Sequence, residues 1–207
     1  NMAVDPGRAA YFPAASLVKP LHQLQWLSLD YNRITHLPST VFDHLHRLVY
    51  LSLEGNRLAQ VSASTGSLVL KSGKLRSLRV LRLTHNHLET LATRTFHNFH
   101  ELTNVALDHN RIQMVESLTF DHLPKLTHIG LAHNRIEKLE EKSFRWLPNL
   151  VELDLHANRL RQFFWDAVSN CTNPSVPAKL NISDNLIGEL SASDEVHPLT
   201  FYFSVID

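Results

Sequence analysis

The sequence predicts an α/β solenoid: a curved parallel β-sheet on a concave face, with loops and short helical or 3₁₀ turns on the convex face. Three observations predict it. An asparagine recurs at Asn32, Asn56, Asn86, Asn110, Asn134, Asn158 and Asn185, in steps of 24, 30, 24, 24, 24 and 27 residues. Each one closes an apolar block of the form L-x-x-L-x-L-x-x-N-x-L/I. A phenylalanine then returns at one place in four of the blocks, as Phe42, Phe96, Phe120 and Phe144. A fixed period of this length means stacked copies of one structural unit, and it overrides any domain count based on length.

Residues 1–17 carry no repeat signal and read as an irregular N-terminal segment. Seven repeats follow within 18–191, with strands expected near 26–30, 50–54, 80–84, 104–108, 128–132, 152–156 and 179–183. In each, the x-L-x-L-x run alternates apolar and variable residues, the period-2 signature of a short strand. Leu27 and Leu29, Leu51 and Leu53, Leu81 and Leu83, Val105 and Leu107, Ile129 and Leu131, Leu153 and Leu155, and Leu180 and Ile182 are the inward pairs. No single repeat covers its own apolar face, so each neighbour supplies the next wall. The asparagine falls where the chain leaves the strand. There its amide can pair with backbone groups that a buried turn would leave unmatched, at about 1–3 kcal/mol each. The four phenylalanines should stack into an apolar spine beneath the convex face.

This spacing resembles the 24-residue "typical" class of leucine-rich repeats, common in extracellular animal proteins that include the Toll-like receptors, Slit and chaoptin. The resemblance spans about residues 18 to 191, and the stretch Cys171 to Asn185 is most similar to chaoptin and its arthropod relatives. It implies recognition of a protein ligand, or of a like molecule on an opposing cell. It also implies a place on the extracellular face of the plasma membrane or in secretion. An intracellular leucine-rich adaptor or phosphatase regulator, and a secreted immune-type ligand binder, remain open beside the adhesion or receptor reading.

Two steps break the period. The second repeat is six residues too long, with Ser72 where a spine phenylalanine would stand and Leu68 or Leu70 available to fill the gap. The extra residues read either as a convex binding loop or as a tolerated insertion, since loop length costs little. The sixth repeat is three residues too long and carries Phe163, Phe164 and Trp165, expected mostly in the core. Ser169 to Pro177 reads as an exposed turn. Residues 192–207 read as a degenerate eighth repeat or a truncated end, with Phe201 and Phe203 aligned to Leu180 and Ile182 and with Ile206 in the asparagine slot. A solenoid normally carries modified end repeats, and none is evident, so the chain is expected to be an internal piece of a longer protein.

Lys and Arg total 20 against 20 Asp and Glu. That balance gives no footprint for nucleic acid, and none is expected as a partner. No apolar run approaches the roughly 18–20 residues that span a bilayer, so membrane attachment would come only through segments outside this chain. One cysteine, Cys171, cannot build a disulfide framework here; it pairs elsewhere or stays buried and free.

The outward strand positions form the expected binding surface. Trp26 and Tyr50 are neighbours in one column, with Tyr31 close by and Asp30, Glu54 and Arg82 around them. Exposed aromatics among charges make an anchor for a protein partner. Asp108 and His128 extend the candidate set along the face. Among 14 histidines, His85, His109 and His133 each stand immediately before a ladder asparagine, with His128 and His156 on strands nearby. Stacked imidazoles suggest either a pH response or a metal such as zinc, but a solvent-facing column explains them as well, and no metal or other cofactor is assigned. Asn170 and Asn181 each begin a glycosylation sequon. No phosphate loop, G-x-S-x-G or H-E-x-x-H motif occurs, and no catalysis is expected.

Overall fold

The computed structural model describes residues 10–11, 21–38, 40–62, 68–70, 74–169, 171, 178–191 and 201–203. Eight parallel strands form one sheet in chain order. They are β1 (Trp26–Ser28), β2 (Tyr50–Ser52), β3 (Val80–Arg82), β4 (Asn104–Ala106), β5 (His128–Gly130), β6 (Glu152–Asp154), β7 (Ala178–Asn181) and β8 (Phe201–Phe203). Equivalent residues pair throughout: Leu27 with Leu51, Leu51 with Leu81, Leu81 with Val105, and on to Leu153 with Leu180. Every central leucine therefore falls in one buried column, and the solenoid expected from the repeat is what the chain forms. Leu24, Leu27 and Leu29 are only partly buried because β1 is the sheet's edge.

Outside this sheet the chain is built from turns and parallel strands of two or three residues. Val61–Ser62, Thr90–Leu91, Met114–Val115 and Lys138–Leu139 line up in one ladder, with Leu68–Val69 on its far edge. Phe120–Asp121, Phe144–Arg145 and Val168–Ser169 make another. A 3₁₀ turn spans Trp165–Ala167. The spine is stacked where the period is regular: Phe96 and Phe120 lie 4.8 Å apart by ring centroid, and Phe120 and Phe144 lie 5.2 Å apart. Val168 pairs beside Phe144 and continues the row with a smaller side chain.

Both irregular repeats contribute to the core. Leu70, from the long second repeat, is buried in the same cluster as Phe42 and Phe96, while Ser72 lies outside the described residues. In the sixth repeat Phe163 is buried and meets Trp165 edge-on at 5.3 Å, but Phe164 points outward and is 47% exposed. Cys171 is fully buried, and its Sγ donates to the Phe144 carbonyl at 3.0 Å. Burial pushes its thiol up to about 12, so it packs as a small apolar group.

The eighth strand pairs in a different register from the one its spacing suggested. Phe203, not Phe201, lies beside Leu180, and Phe201 lies beside Ala178. Ile206, the residue expected in the asparagine slot, lies outside the described residues. Parallel pairing selects the alternation of side chains, and a shift of two residues preserves it. The apolar pattern alone could not separate the two registers.

The asparagines tie each rung to the one before it. Asn110 donates through Nδ2 to the carbonyls of Leu107 (2.9 Å), Asp108 (3.2 Å) and, in the preceding rung, Leu83 (2.9 Å). Its Oδ1 accepts the Leu88 amide at 3.1 Å. Asn56, Asn86, Asn134, Asn158 and Asn185 repeat this pattern on their own neighbours. Among the described residues Asn32, on the first rung, bonds within its own turn, to Leu29 and Asp30.

Candidate ligand-binding face

The N-terminal end of the concave sheet carries a connected aromatic and charged patch. Register places Trp26 beside Tyr50, and their rings stack at 3.5 Å with planes 6° apart. Trp26 remains 63% exposed and Tyr31 74% exposed. Tyr31 precedes the first ladder asparagine, with φ 54°, and its ring lies over Gly55. A Cβ on Gly55 would come within 2.5 Å of that ring, and Gly55 itself has φ 66°, so glycine is needed there twice over.

Glu54 joins the patch together. It accepts the Tyr31 hydroxyl at 2.6 Å and the Arg82 guanidinium at 2.5 Å. The hydrogen bond to Glu54, followed by its charge, raises the Tyr31 hydroxyl above its ordinary range. Asp30 faces inward to the turn: its Oδ1 accepts the Ser52 hydroxyl at 2.5 Å and the Glu54 amide at 2.8 Å. Ser52, an outward position by alternation, is fully buried beneath this network. Trp26, Tyr31, Tyr50, Glu54 and Arg82 thus form one surface, with Asp30 bracing it.

Asp108 and His128 lie apart from that patch. The Asp108 carboxylate caps the next rung by accepting the Ala132 amide at 2.9 Å, and burial raises its pKa despite that bond. It occupies the space that a side chain at Gly130 would fill, 2.5 Å from an added Cβ. His128 is exposed, and its Nδ1 is 2.8 Å from the Thr127 hydroxyl. An open depression lined by Val80, Arg82, Thr84, His85, Asp108 and His109 links the sheet to the edge of the turns.

The histidines form a stacked column along that edge. His85 and His109 lie 4.3 Å apart and His109 and His133 lie 4.4 Å apart, while His156 meets His133 edge-on at 5.2 Å. All seven residues that precede a ladder asparagine are left-handed, with φ between 52° and 66°. Histidine, asparagine, aspartate and glycine tolerate that conformation better than most residues. Backbone geometry therefore supplies a reason for histidine in this column. Among the described residues no group of three or more His, Cys, Asp or Glu side chains is placed to hold a metal.

The sequons differ. Asn170 lies outside the described residues. Asn181 is half-buried on β7, and its Oδ1 accepts the hydroxyl of Ser183, two residues on, at 2.7 Å.

A convex cluster escaped the sequence reading. Asp121 is buried and bound by Arg145 Nε at 2.8 Å and His122 Nδ1 at 2.8 Å. Burial alone would raise its pKa, but these two partners outweigh it and hold the carboxyl low. His122 stacks on Trp146, which is 50% exposed. Opposite charges one repeat apart, at 121 and 145, were the available signal. The left-handed backbone of Trp146 had none, since tryptophan has no preference for that conformation.

A sequence model of the family described as "Leucine rich repeat" matches residues 14–58 and 100–160, just over half of the chain. The chain belongs to the leucine-rich repeat family. Solved structures similar to these repeats include the Drosophila Toll–Spatzle complex in its glycosylated form. It is 26% identical over 89% of this chain, with a TM-score of 0.71. A second structure of the Toll–Spatzle complex matches at 26% identity over 90% of this chain, with a TM-score of 0.72. The TLR13–ssRNA13 complex matches at 24% identity over 90% of this chain, with a TM-score of 0.73, a likeness of fold. This chain spans about a quarter of those chains, 25% of both Toll chains and 26% of TLR13. No curated protein matches the sequence closely enough to count as a relative. These leucine-rich repeats are thus of the kind found in Toll-type ectodomains.

Proposed function

We propose that the chain is the recognition surface of a cell-surface or secreted receptor or adhesion protein, and that it binds a protein through the N-terminal end of its concave face. The observation that carries this reading is the Trp26–Tyr50 stack, exposed yet fixed in register by β1 and β2. Rigid aromatic area surrounded by charge loses little entropy on binding and is the usual composition of an interface hot spot. Glu54 holds Tyr31 and Arg82 in place before any partner arrives. No bond-making chemistry is needed, and the reading is non-enzymatic. The likeness to a Toll that is seen with Spatzle supports a protein partner, and a second copy of this chain on an opposing cell is the adhesion form of the same idea.

A TLR13 structure contains RNA, so nucleic acid belongs in the test. The purified protein would be screened against displayed secreted and cell-surface proteins, including Spatzle and this chain itself, with single-stranded RNA as a parallel probe. The expected result is at least one protein bound by the wild type and lost, by about tenfold or more, in Trp26→Ala. Binding of RNA alone, or protein binding indifferent to Trp26→Ala, would sink the reading.

A further inference from the structure

Beside the histidine column runs a second column that no part of the proposed concave site uses. The residue after the first six ladder asparagines is Arg33, Arg57, His87, Arg111, Arg135 and Arg159, and after the seventh it is Leu186. All five arginines are exposed. The backbone keeps them in line: the Arg111, Arg135 and Arg159 amides donate to Leu88, Ile112 and Ile136 of the preceding rungs at 2.8–2.9 Å. Neighbouring rungs lie roughly 4.8 Å apart, so like charges are stacked at the closest spacing the fold permits. Arg159 has a distant acidic partner, Glu137 at 3.8 Å, while Arg111 and Arg135 form no ion pair among the described residues. On a chain of zero formal net charge, this is a concentrated strip of unneutralised cation.

The histidine column lies one residue to the other side of the buried asparagines. His109 is sandwiched between the rings of His85 and His133, with the Asp108 carboxylate as its acidic neighbour. His133 also faces His156, whose Nδ1 is 3.6 Å from Asp184. Partial burial, then the two flanking imidazoles, lower the pKa of His109. Protonating His109 sets a positive charge between two imidazole faces, and an anion lying along the column would offset that cost.

We propose that this lateral face binds a linear sulfated polysaccharide of the heparan sulfate type, and binds it more tightly as pH falls. Guanidinium forks and imidazole N–H edges both suit sulfate oxygens. The ladder repeats along its length, which suits a repeating chain of charge. The imidazole faces cover one another, so the column offers no open ring on which a nucleic acid base could stack. Exposed large apolar side chains stand only at the two ends, Tyr31 before Asn32 and Leu186 after Asn185; from His85 to Arg159 neither column carries one, so an acidic peptide would find no anchor along the middle rungs.

Heparin is the probe, with desulfated heparin and single-stranded RNA as competitors. Binding of the purified protein would be measured across salt concentration at about pH 7.5 and about pH 5.5. Arg111→Gln with Arg135→Gln should weaken heparin binding about tenfold and flatten its salt dependence by about two contacts. His109→Asn with His133→Asn, which keeps residues that accept the left-handed turn, should leave binding near neutral pH unchanged and remove the gain on acidification. Trp26→Ala should leave heparin binding intact, which separates this strip from the concave site. Unchanged binding in the arginine pair would overturn the proposal, as would equal binding of desulfated heparin or RNA competing at lower charge concentration than heparin. Should the arginine pair unfold, Arg57→Gln with Arg159→Gln reads the same strip.

Discussion

From Asn56 to Asn158 each ladder asparagine makes four hydrogen bonds from a site with almost no contact with water. Asn110, 7% exposed, satisfies three carbonyls and one amide. Asn110→Ala leaves those groups buried and unpaired, and we expect a loss of about 3 kcal/mol in urea unfolding. A loss under about 1 kcal/mol would mean water replaces the amide. The residue before it is constrained by backbone, not by contact: His109→Gly should be nearly neutral, and His109→Val should cost about 1–2 kcal/mol at its φ of 55°. Asp108 gives a signed pH effect. Its native pKa is raised by burial, so it adds stability when protonated and loses it as pH rises past the ordinary carboxylate value of 3.8. Asp108→Asn keeps an oxygen for the Ala132 amide and should raise the thermal midpoint near neutral pH, with the difference vanishing in acid. The asparagines were plain in the sequence because their role demands one residue type. The left-handed positions were not, because Tyr31, His109 and Ala157 share a conformation and no chemistry.

Between neighbouring strands, fit is decided by pairs of residues one repeat apart. Asp108 lies where a side chain on Gly130 would go, so Gly130→Ala should destabilise the wild type markedly and the Asp108→Ala background much less. Additive costs in that double-mutant cycle would show that the two do not share the space. Phe120 stacks between Phe96 and Phe144, and Phe120→Ala should cost about 3–5 kcal/mol. Strand positions and the spine were readable because burial repeats with the period. The register of β8 was not, since Phe201 and Phe203 satisfy the alternation equally well. Nor was the split of Phe163, Phe164 and Trp165 into buried and exposed rings, because three consecutive aromatics carry no alternation from which to read a phase.

At the scale of the whole molecule, the chain is a one-dimensional stack with different surfaces along its sides. Each rung contacts its neighbours, so protection from hydrogen exchange should be greatest in β3 to β6 and decline toward β1, the edge strand. Composition spoke for the molecule as a whole and reported neutrality. Only stacking the repeats shows that Arg57, Arg111, Arg135 and Arg159 share one side while Trp26, Tyr50 and Glu54 share another. The concave patch was largely legible as a column of residues, but its internal bonding was not: Asp30 braces Ser52 and the Glu54 amide and is not offered to a partner. The central claim is that recognition is anchored at Trp26. Its most direct test is the affinity of Trp26→Ala, set beside Trp146→Ala on the convex side, for whichever displayed protein the wild type binds. The account predicts a loss of about tenfold or more at Trp26 and none at Trp146; equal affinities for Trp26→Ala and the wild type would contradict it.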